Sequence, residues 1–415
     1  MTTPTTTAGH VDAGLIATAE SLDRTDPLAT FRAEFEPASG VDAYLDGNSL
    51  GRPVRGTADR IARFVAEDWG SRLIRSWDEG WMEMPFSLGD RIGRVTLGAG
   101  SGQTVVADST TVLLYKLISA AVHDAPTGSR ILIERGNFPT DRFIVEGVAT
   151  AHSLTVGWVD PDPVRGVTVE NIADALTSDT VLVVLSHVDY RSGALADMQA
   201  ITDTVKASGA MMLWDLCHTA GVVPMELDAW GVDLAVGCTY KYLNGGPGSP
   251  AFAYVRSGLH DRLEQPIWGW MGAADVFSMA SEYQPASGMR RFVSGTPPVV
   301  GMLAMQGMLD LIERCGLQAI REKSTALTDF AIDVYDAVLA PKGITLLTTR
   351  DSANRGSHIT IGHPSFREVT QRLWTRGIVP DFRAPDGIRV GLSPLSTSYA
   401  ETLTGLLSVA DAVAN

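Results

Sequence analysis

Short apolar runs rich in β-branched residues recur through the middle of the chain. Polar or glycine-containing segments separate them, as is typical of buried strands in a largely parallel sheet. The pattern predicts strands at 130–134, 154–159, 180–188, 211–216, 233–237 and 251–256.

Helical stretches lie between several of these runs. The stretch 197–209 repeats its apolar positions at helical spacing, with Asp197 placed to cap its start and Gly209 to end it. Strands that alternate with helices predict βαβ units and a sheet covered on both faces. Ligands bind beyond the carboxyl ends of such strands, so the polar residues that follow each run are the candidates for a site.

The pattern changes towards both ends of the chain. Residues 1–60 are rich in turn-forming residues and are predicted to form an N-terminal arm and the start of a small domain. The strand–helix alternation predicts a large domain over 61–300. Beyond it, a helical stretch and the alternating runs 343–349, 357–363 and 387–394 predict a smaller α+β domain over 301–415. The expected fold class is therefore α/β with a smaller C-terminal domain.

Composition excludes several classes of function. The formal net charge of −15 disfavours nucleic acids and acidic membrane surfaces as partners. The cysteines are Cys217, Cys238 and Cys315, which lack paired spacing, so neither a disulfide framework nor a metal site is expected. The polar, threonine-rich start does not resemble a signal peptide, and no apolar run reaches the ~20 residues of a membrane helix. We expect a protein of the reducing cytoplasm.

An aspartate and a lysine follow two of the predicted strands. Asp215 comes directly after 211–214, and Lys241 follows 233–237 within the segment 238-CTYKYLNGGPG-248. Pyridoxal 5'-phosphate (PLP) needs a lysine amine to hold it covalently and an acidic residue at its ring nitrogen. A helix-capping aspartate and a surface lysine are the ordinary structural alternatives, so the pair needs support from its surroundings.

Other segments supply the remaining needs of this coenzyme. The stretch 108-DSTT-111 precedes a helical run and offers hydroxyls at a helix N-terminus, where phosphates bind. Phe138 could stack on the ring, and His218 follows Asp215 closely. Each has a structural alternative: a helix cap, a core phenylalanine and a polar loop residue. Their joint appearance favours a PLP site.

These segments together resemble the kynureninase family of fold-type I PLP-dependent enzymes. The resemblance extends over nearly the whole chain. The segments that carry it are YLDGNSLG (44–51), DSTT (108–111), NFPTD (137–141), HVDYRSG (187–193), DLCHTAG (215–221), CTYKYLNGGPG (238–248), GW (269–270), GTPP (295–298) and IRVG (388–391).

The resemblance implies three sets of residues. The catalytic set comprises Lys241 as the coenzyme-bonding lysine, Asp215 as the partner of the ring nitrogen, and Tyr240 for proton transfer. Besides these three, the set that holds the coenzyme is Thr110, Thr111, Phe138, Asp141, Ser186, His218, Trp270 and Thr296. The substrate set is Arg389 for the α-carboxylate, Ser49 and Trp77.

The implied activity is hydrolytic cleavage of the Cβ–Cγ bond of kynurenine to anthranilate and alanine, a step of tryptophan catabolism. The family also implies a homodimer with shared active sites, in which Trp270 and Thr296 lie near the subunit interface. The expected ligands are thus PLP and a small amino-acid substrate.

Two segments depart from the family pattern. The family's GWFGH reads 269-GWMGA-273 here, with Met271 and Ala273, and its PLY reads 394-PLS-396, with Ser396. Both changes are expected to touch the substrate side of the pocket. They fit divergence within the kynureninases. They also fit a changed substrate, either a substituted kynurenine or a cysteine conjugate that undergoes β-elimination by a C–S lyase.

Overall fold

The computed structural model of the protein describes residues 8–414 and the side chains of residues 13–413. The strands are β1 (Ala43–Leu45), β2 (Thr104–Ala107), β3 (Arg130–Glu134), β4 (Thr155–Val159), β5 (Thr180–Ser186), β6 (Met211–Asp215), β7 (Leu234–Gly237), β8 (Ala251–Val255), β9 (Thr345–Leu346), β10 (His358–Gly362), β11 (Ile378–Arg383) and β12 (Gly387–Gly391). The α-helices are α1 (Ala8–Thr25), α2 (Thr57–Arg63), α3 (Met84–Ile92), α4 (Thr110–Ala121), α5 (Pro139–Ala151), α6 (Val169–Ala175), α7 (Met198–Ala207), α8 (Met305–Cys315), α9 (Leu317–Val334), α10 (Phe366–Trp374) and α11 (Tyr399–Ala414).

The large sheet has seven strands in the order β2-β8-β7-β6-β5-β3-β4. The central strands are parallel, and β8 runs antiparallel to both of its neighbours. The predicted α/β class with a mostly parallel sheet is confirmed. Strand β2 was absent from the prediction because its four residues are too few to give a pattern.

The smaller sheet has the order β1-β11-β12-β10-β9. Strand β1 joins it from the N-terminal part of the chain, parallel to β11. Strand β9 contains only Thr345–Leu346, so most of the strand predicted over 343–349 is wrong. A bridge between Asp46 and Gly391 then places the turn after β1 beside the end of β12.

Two apolar clusters cover the faces of the large sheet, and a third fills the small domain. Helix α8 packs into a large-sheet cluster through Met305 and Leu309. Helix α9 contributes Ile320 to the same cluster but Leu327 and Phe330 to the core of the small domain. The boundary at residue 301 stays a prediction, and the packing associates α8 with the large sheet.

A buried ion pair ties α9 to the segment after α1. The Lys323 ammonium lies 2.7 Å from the Asp26 carboxylate, and both side chains are almost fully buried. We expect Lys323→Met to lower the free energy of unfolding by about 3–5 kcal/mol, because the Asp26 charge would stay buried without a partner. Urea unfolding measures this change. The double variant Asp26→Asn/Lys323→Met should recover most of the loss, and a single variant as stable as wild type would contradict the prediction.

Candidate active site

The carboxyl ends of the central strands open onto one cavity. Asp215 ends β6, Ser186 ends β5, and the segment after β7 carries Lys241. The side chains that line the cavity are Ser109, Thr110, Thr111, Phe138, Thr140, Asp141, Ser186, Val188, Tyr190, Asp215, Cys217, His218, Cys238, Tyr240, Lys241, Ser249 and Ala251. Most of the predicted coenzyme residues therefore meet at one place.

The backbone around Lys241 is held by short contacts. The Gly51 N–H donates to the Tyr240 carbonyl at 2.9 Å. A Cβ at Gly51 would come within 2.5 Å of the Lys241 carbonyl oxygen, so only glycine fits here. On the other side, the Gly245 N–H donates to the Thr239 carbonyl. The turn that carries Lys241 is thus clamped between the N-terminal segment and the glycine-rich loop.

His218 contacts the lysine directly. The Lys241 Nζ lies 3.3 Å from Nε2 and 3.4 Å from Nδ1 of the imidazole. Burial, with the charges of Lys241 and Arg389, lowers the pKa of His218 well below its ordinary value. The ring is therefore neutral at neutral pH and can sit beside the amine without repelling it.

Two carboxyl groups, those of Asp215 and Asp141, meet in the cavity. Asp215 Oδ1 accepts a hydrogen bond from the Cys217 N–H at 2.6 Å. Asp141, in the first turn of α5, is buried, and its Oδ2 has no hydrogen-bond partner. Burial raises the pKa of Asp141 well above its ordinary value, and the Asp215 charge raises it further. A protonated pyridine N–H would supply a positive charge and a hydrogen-bond donor to these two carboxyl groups, so they fit the ring nitrogen of PLP.

The start of α4 fits the phosphate of PLP. Ser109 caps α4, and its side chain accepts a hydrogen bond from the Val112 N–H at 3.4 Å. Thr110 and Thr111 follow in the first turn, and Ser249 also lines the cavity. Hydroxyls and free N–H groups at a helix N-terminus favour a phosphate group.

Phe138 and Ser186 also line the cavity. Phe138 precedes α5 and makes an edge-to-face contact with Tyr190, with 5.2 Å between the ring centroids. The Ser186 hydroxyl donates to Asn137 Oδ1 at 2.8 Å. Sequence reasoning did not assign Tyr190, although it stands in the HVDYRSG segment that carries the resemblance.

Arg389 lies beside the cavity, where the small domain meets the large one. Nε donates to Asp381 Oδ2 at 2.6 Å, and the other nitrogens donate to the Tyr190 carbonyl at 2.7 Å and the Ser49 hydroxyl at 2.6 Å. One nitrogen also lies 3.5 Å from His218 Nε2. Arg389 is therefore oriented by Asp381, which sequence reasoning missed because Asp381 is opposite Arg389 only in the β11–β12 register.

A third carboxyl group, also missed from the sequence, lies at the end of β3. Glu134 is buried, its Oε1 has no hydrogen-bond partner, and burial followed by the Asp189 charge raises its pKa from 4.5 to about 8. The folded protein thus retains a proton that the unfolded chain loses above pH 4.5. The stability that depends on this proton falls as pH rises from about 4.5 to about 8.

We expect Glu134→Gln to remove this loss, because glutamine mimics the protonated acid. Glu134→Gln should therefore become increasingly more stable than wild type between pH 5 and pH 8, and the difference should then level off. Urea unfolding of the coenzyme-free protein at several pH values measures it. A constant difference over this range would contradict the assignment, and Glu146→Gln on the exposed side of α5 is the control.

Several predicted residues lie outside the cavity in the single chain. Trp270 is 46% exposed, Thr296 is exposed, and Trp77 packs edge-on against Trp81. Ala273 lines a surface groove with Trp268 and Trp270. Their predicted contacts with the coenzyme and substrate are therefore absent within one described chain.

Ser396 also lies away from the predicted place. It borders a separate small cavity with Tyr242 and Asn244, because the chain turns away after Ser393. Ser396 does not line the cavity around Lys241, and its contact with the substrate stays a prediction. Its small side chain does not enlarge the cavity around Lys241.

Comparison with solved structures defines the class of protein. A C-DES variant with glycine covalently linked to its PLP cofactor aligns with a TM-score of 0.81 at 18% identity, over 92% of this chain and 99% of that one. Apo cysteine desulfurase from Thermococcus onnurineus NA1 aligns with a TM-score of 0.78 at 18% identity, over 95% of this chain and 98% of that one. The fold is that of the type I PLP-dependent enzymes.

Sequence comparison defines the family within this class. The chain is 41% identical over 389 residues to a kynureninase of Pseudomonas fluorescens, covering 92% of this chain and 91% of that protein. It is 40% identical over 398 residues to a kynureninase of Burkholderia pseudomallei strain 1106a, covering 94% of each. A family model described as the kynureninase C-terminal domain matches residues 320–406. The chain belongs to the kynureninase family.

Residues 8–414 lack two further features. Within this part of the chain, none of the helices is long and apolar enough to cross a membrane. The same described residues contain no group of three histidine, cysteine or acidic side chains arranged to hold a metal ion.

Proposed function

We propose that this protein is a PLP-dependent kynureninase, which hydrolyses the Cβ–Cγ bond of kynurenine or a ring-substituted kynurenine to an anthranilate and alanine. The observation that carries the proposal is the continuous contact from Lys241 through His218 to Arg389. It places an amine for chemistry at the α-carbon next to a guanidinium for the α-carboxylate, as an α-amino acid substrate requires.

The coenzyme supplies electron-accepting capacity: when bound, PLP takes up the electron pair that remains after the substrate loses its α-proton. Asp215 and Asp141 would hold its ring nitrogen, Phe138 would stack against its ring, and Ser186 would complete the wall. Thr110, Thr111 and the free N–H groups at the start of α4 would bind its phosphate. These assignments use side chains that all line the same cavity.

Lys241 would hold the coenzyme covalently and, once the substrate amine displaces it, remove and return the α-proton. His218 supports this role because its neutral ring lies 3.3 Å from the amine and adds no second positive charge when Lys241 takes up the α-proton. Arg389 would bind the α-carboxylate through its guanidinium fork, beside the Ser49 hydroxyl. The rigid contact with Asp381 would keep that fork in one orientation.

Tyr240 is proposed as the acid–base group for the carbonyl side of the substrate. Burial first, followed by the charge of Cys238, raises the pKa of Tyr240 above its ordinary value. The phenol is therefore protonated at neutral pH, as a hydrogen-bond donor to a carbonyl oxygen must be.

We also propose a homodimer in which the partner completes each site. Large apolar side chains are exposed on the single chain, among them Ile74, Trp268, Phe277 and Met279. Large exposed apolar side chains of this kind are typical of a subunit interface. Trp270 and Thr296 are proposed to reach the coenzyme, and Trp77 the substrate, across this interface. Three free cysteines support the cytoplasm, where an enzyme of tryptophan catabolism would act.

The altered segment GWMGA would then affect the partner's site. Ala273 lies in the same exposed groove as Trp270, so the missing imidazole is proposed to leave space on the substrate side of the second subunit. This supports acceptance of a ring-substituted kynurenine as well as kynurenine.

Parallel assays with kynurenine, 3-hydroxykynurenine and an S-substituted cysteine test the proposal. We expect an anthranilate from one or both kynurenines and no thiol from the cysteine conjugate. Release of pyruvate and thiol from the cysteine conjugate alone would overturn it. Restoring the imidazole with Ala273→His should shift the preference between the two kynurenines if the segment faces the substrate.

A further inference from the structure

Lys116 is a charged residue in the interior with no role in the site described above. It lies on α4 with none of its side-chain surface exposed, among apolar residues such as Leu113 and Leu117. Its ammonium donates to Asp108 Oδ2 at 2.6 Å and to the Phe292 carbonyl at 2.8 Å. Lys116 is fully buried, whereas the Asp108 side chain is 28% exposed, so the two opposite charges meet at the edge of the interior.

Asp108 connects this lysine to the proposed phosphate site at the start of α4. It is the residue directly before Ser109, the cap of α4, and its φ of 47° lies in the left-handed region. Aspartate tolerates this conformation better than most residues. Its carbonyl accepts a hydrogen bond from the Ala251 N–H at 3.1 Å, which fixes the turn to β8. Asp108 therefore directly precedes a residue that lines the cavity, Ser109.

The charge of Asp108 opposes the proposed ligand. The phosphate of PLP carries nearly two negative charges, and the α4 N-terminus attracts it only if no other anion there is left uncompensated. The Asp108 carboxylate alone would repel the phosphate through a partly buried region, where charges are weakly screened. The Lys116 ammonium neutralises Asp108 from inside the protein and leaves the cavity free.

We infer that Lys116 is a positioning residue for coenzyme binding: it neutralises Asp108, so that the α4 N-terminus next to Asp108 can accept a phosphate monoester. The inference rests on the proposed function. It goes beyond it because Lys116 touches neither the cavity nor the substrate. The hydrogen bond to Phe292 also joins α4 to the segment that leads to Thr296.

Binding of PLP compared with pyridoxal, which lacks the phosphate, tests the inference. We expect Lys116→Met in the coenzyme-free protein to weaken PLP binding by at least about tenfold, from the unshielded charge. Pyridoxal binding should be unchanged, whereas general damage to the fold would weaken both ligands. Lys206→Met is the matched control, because that partly buried lysine also donates to a carbonyl, at Gly231.

Two further variants keep the test decisive if Lys116→Met folds poorly. The double variant Asp108→Asn/Lys116→Met carries no unpaired charge and should bind PLP like wild type. Asp108→Asn alone should bind PLP more tightly, again without effect on pyridoxal. Equal changes for both ligands, or unchanged PLP binding in both single variants, would overturn the inference. If the wild-type protein binds PLP no more tightly than pyridoxal, the proposed phosphate site itself fails, irrespective of Lys116.

Discussion

Lys241→Ala is expected to lower kcat for kynurenine cleavage by at least about 10³-fold, because the group that exchanges the α-proton is removed. The variant should also lose the covalent link to PLP. Borohydride reduction of the PLP-loaded protein, followed by peptide mapping, should label Lys241 in the wild type and give no labelled lysine in the variant. His218 would stay in place beside the vacated position. The proposed phosphate site at the start of α4 would also be unchanged, so noncovalent binding of the coenzyme through its phosphate should persist.

Lys342→Ala is the control for this experiment, since Lys342 is exposed in the small domain. It should retain both the label on Lys241 and the wild-type rate. Labelling of another active-site lysine in the Lys241→Ala protein, with the rate preserved, would show that the assignment of the lysine is wrong.

Arg389→Lys is expected to lower kcat/KM for kynurenine by about 10²-fold or more, mainly through KM. The guanidinium is held by Asp381, the Tyr190 carbonyl and Ser49 at the same time. A lysine ammonium keeps the charge but cannot form the planar fork that pairs with a carboxylate. Steady-state kinetics with kynurenine separate the effect on KM from that on kcat.

Arg383→Lys is the matched control for this variant. Arg383 also donates to Asp381 Oδ2, at 2.7 Å, but it is partly exposed. We expect Arg383→Lys to have a much smaller effect on kcat/KM. Equal effects of the two substitutions would mean that Asp381, rather than the fork of Arg389, is what matters for binding the substrate.

The central strands could be predicted from the sequence because a parallel sheet buried on both faces gives continuous apolar runs. Strands β3, β6 and β8 begin and end within one residue of their predicted bounds. Polar residues at the ends of such strands converge by topology, which is why Asp215 and Lys241 could be paired before the fold was known. At Asp215 and Lys241, the apolar strand pattern and the family motif therefore indicate the same site.

Roles that depend on tertiary contacts could not be predicted in this way. Asp381 is identified only by its register with Arg389. Glu134 is the last residue of a strand, and the sequence does not show that its side chain is buried. Lys116 has the position of an ordinary polar residue in a helix until its contacts with Asp108 and Phe292 are known. Trp270 and Thr296 lie outside the cavity of the single chain, and their contacts with the coenzyme are proposed to form across a subunit interface.

The most direct test of the account is product analysis of L-kynurenine turnover by the PLP-loaded protein in water enriched in oxygen-18. Hydrolysis of the Cβ–Cγ bond predicts anthranilate with solvent oxygen in its carboxylate and alanine in equal amount. Pyruvate and ammonia, or a 2-oxo acid that retains the intact kynurenine carbon skeleton, would contradict kynureninase activity.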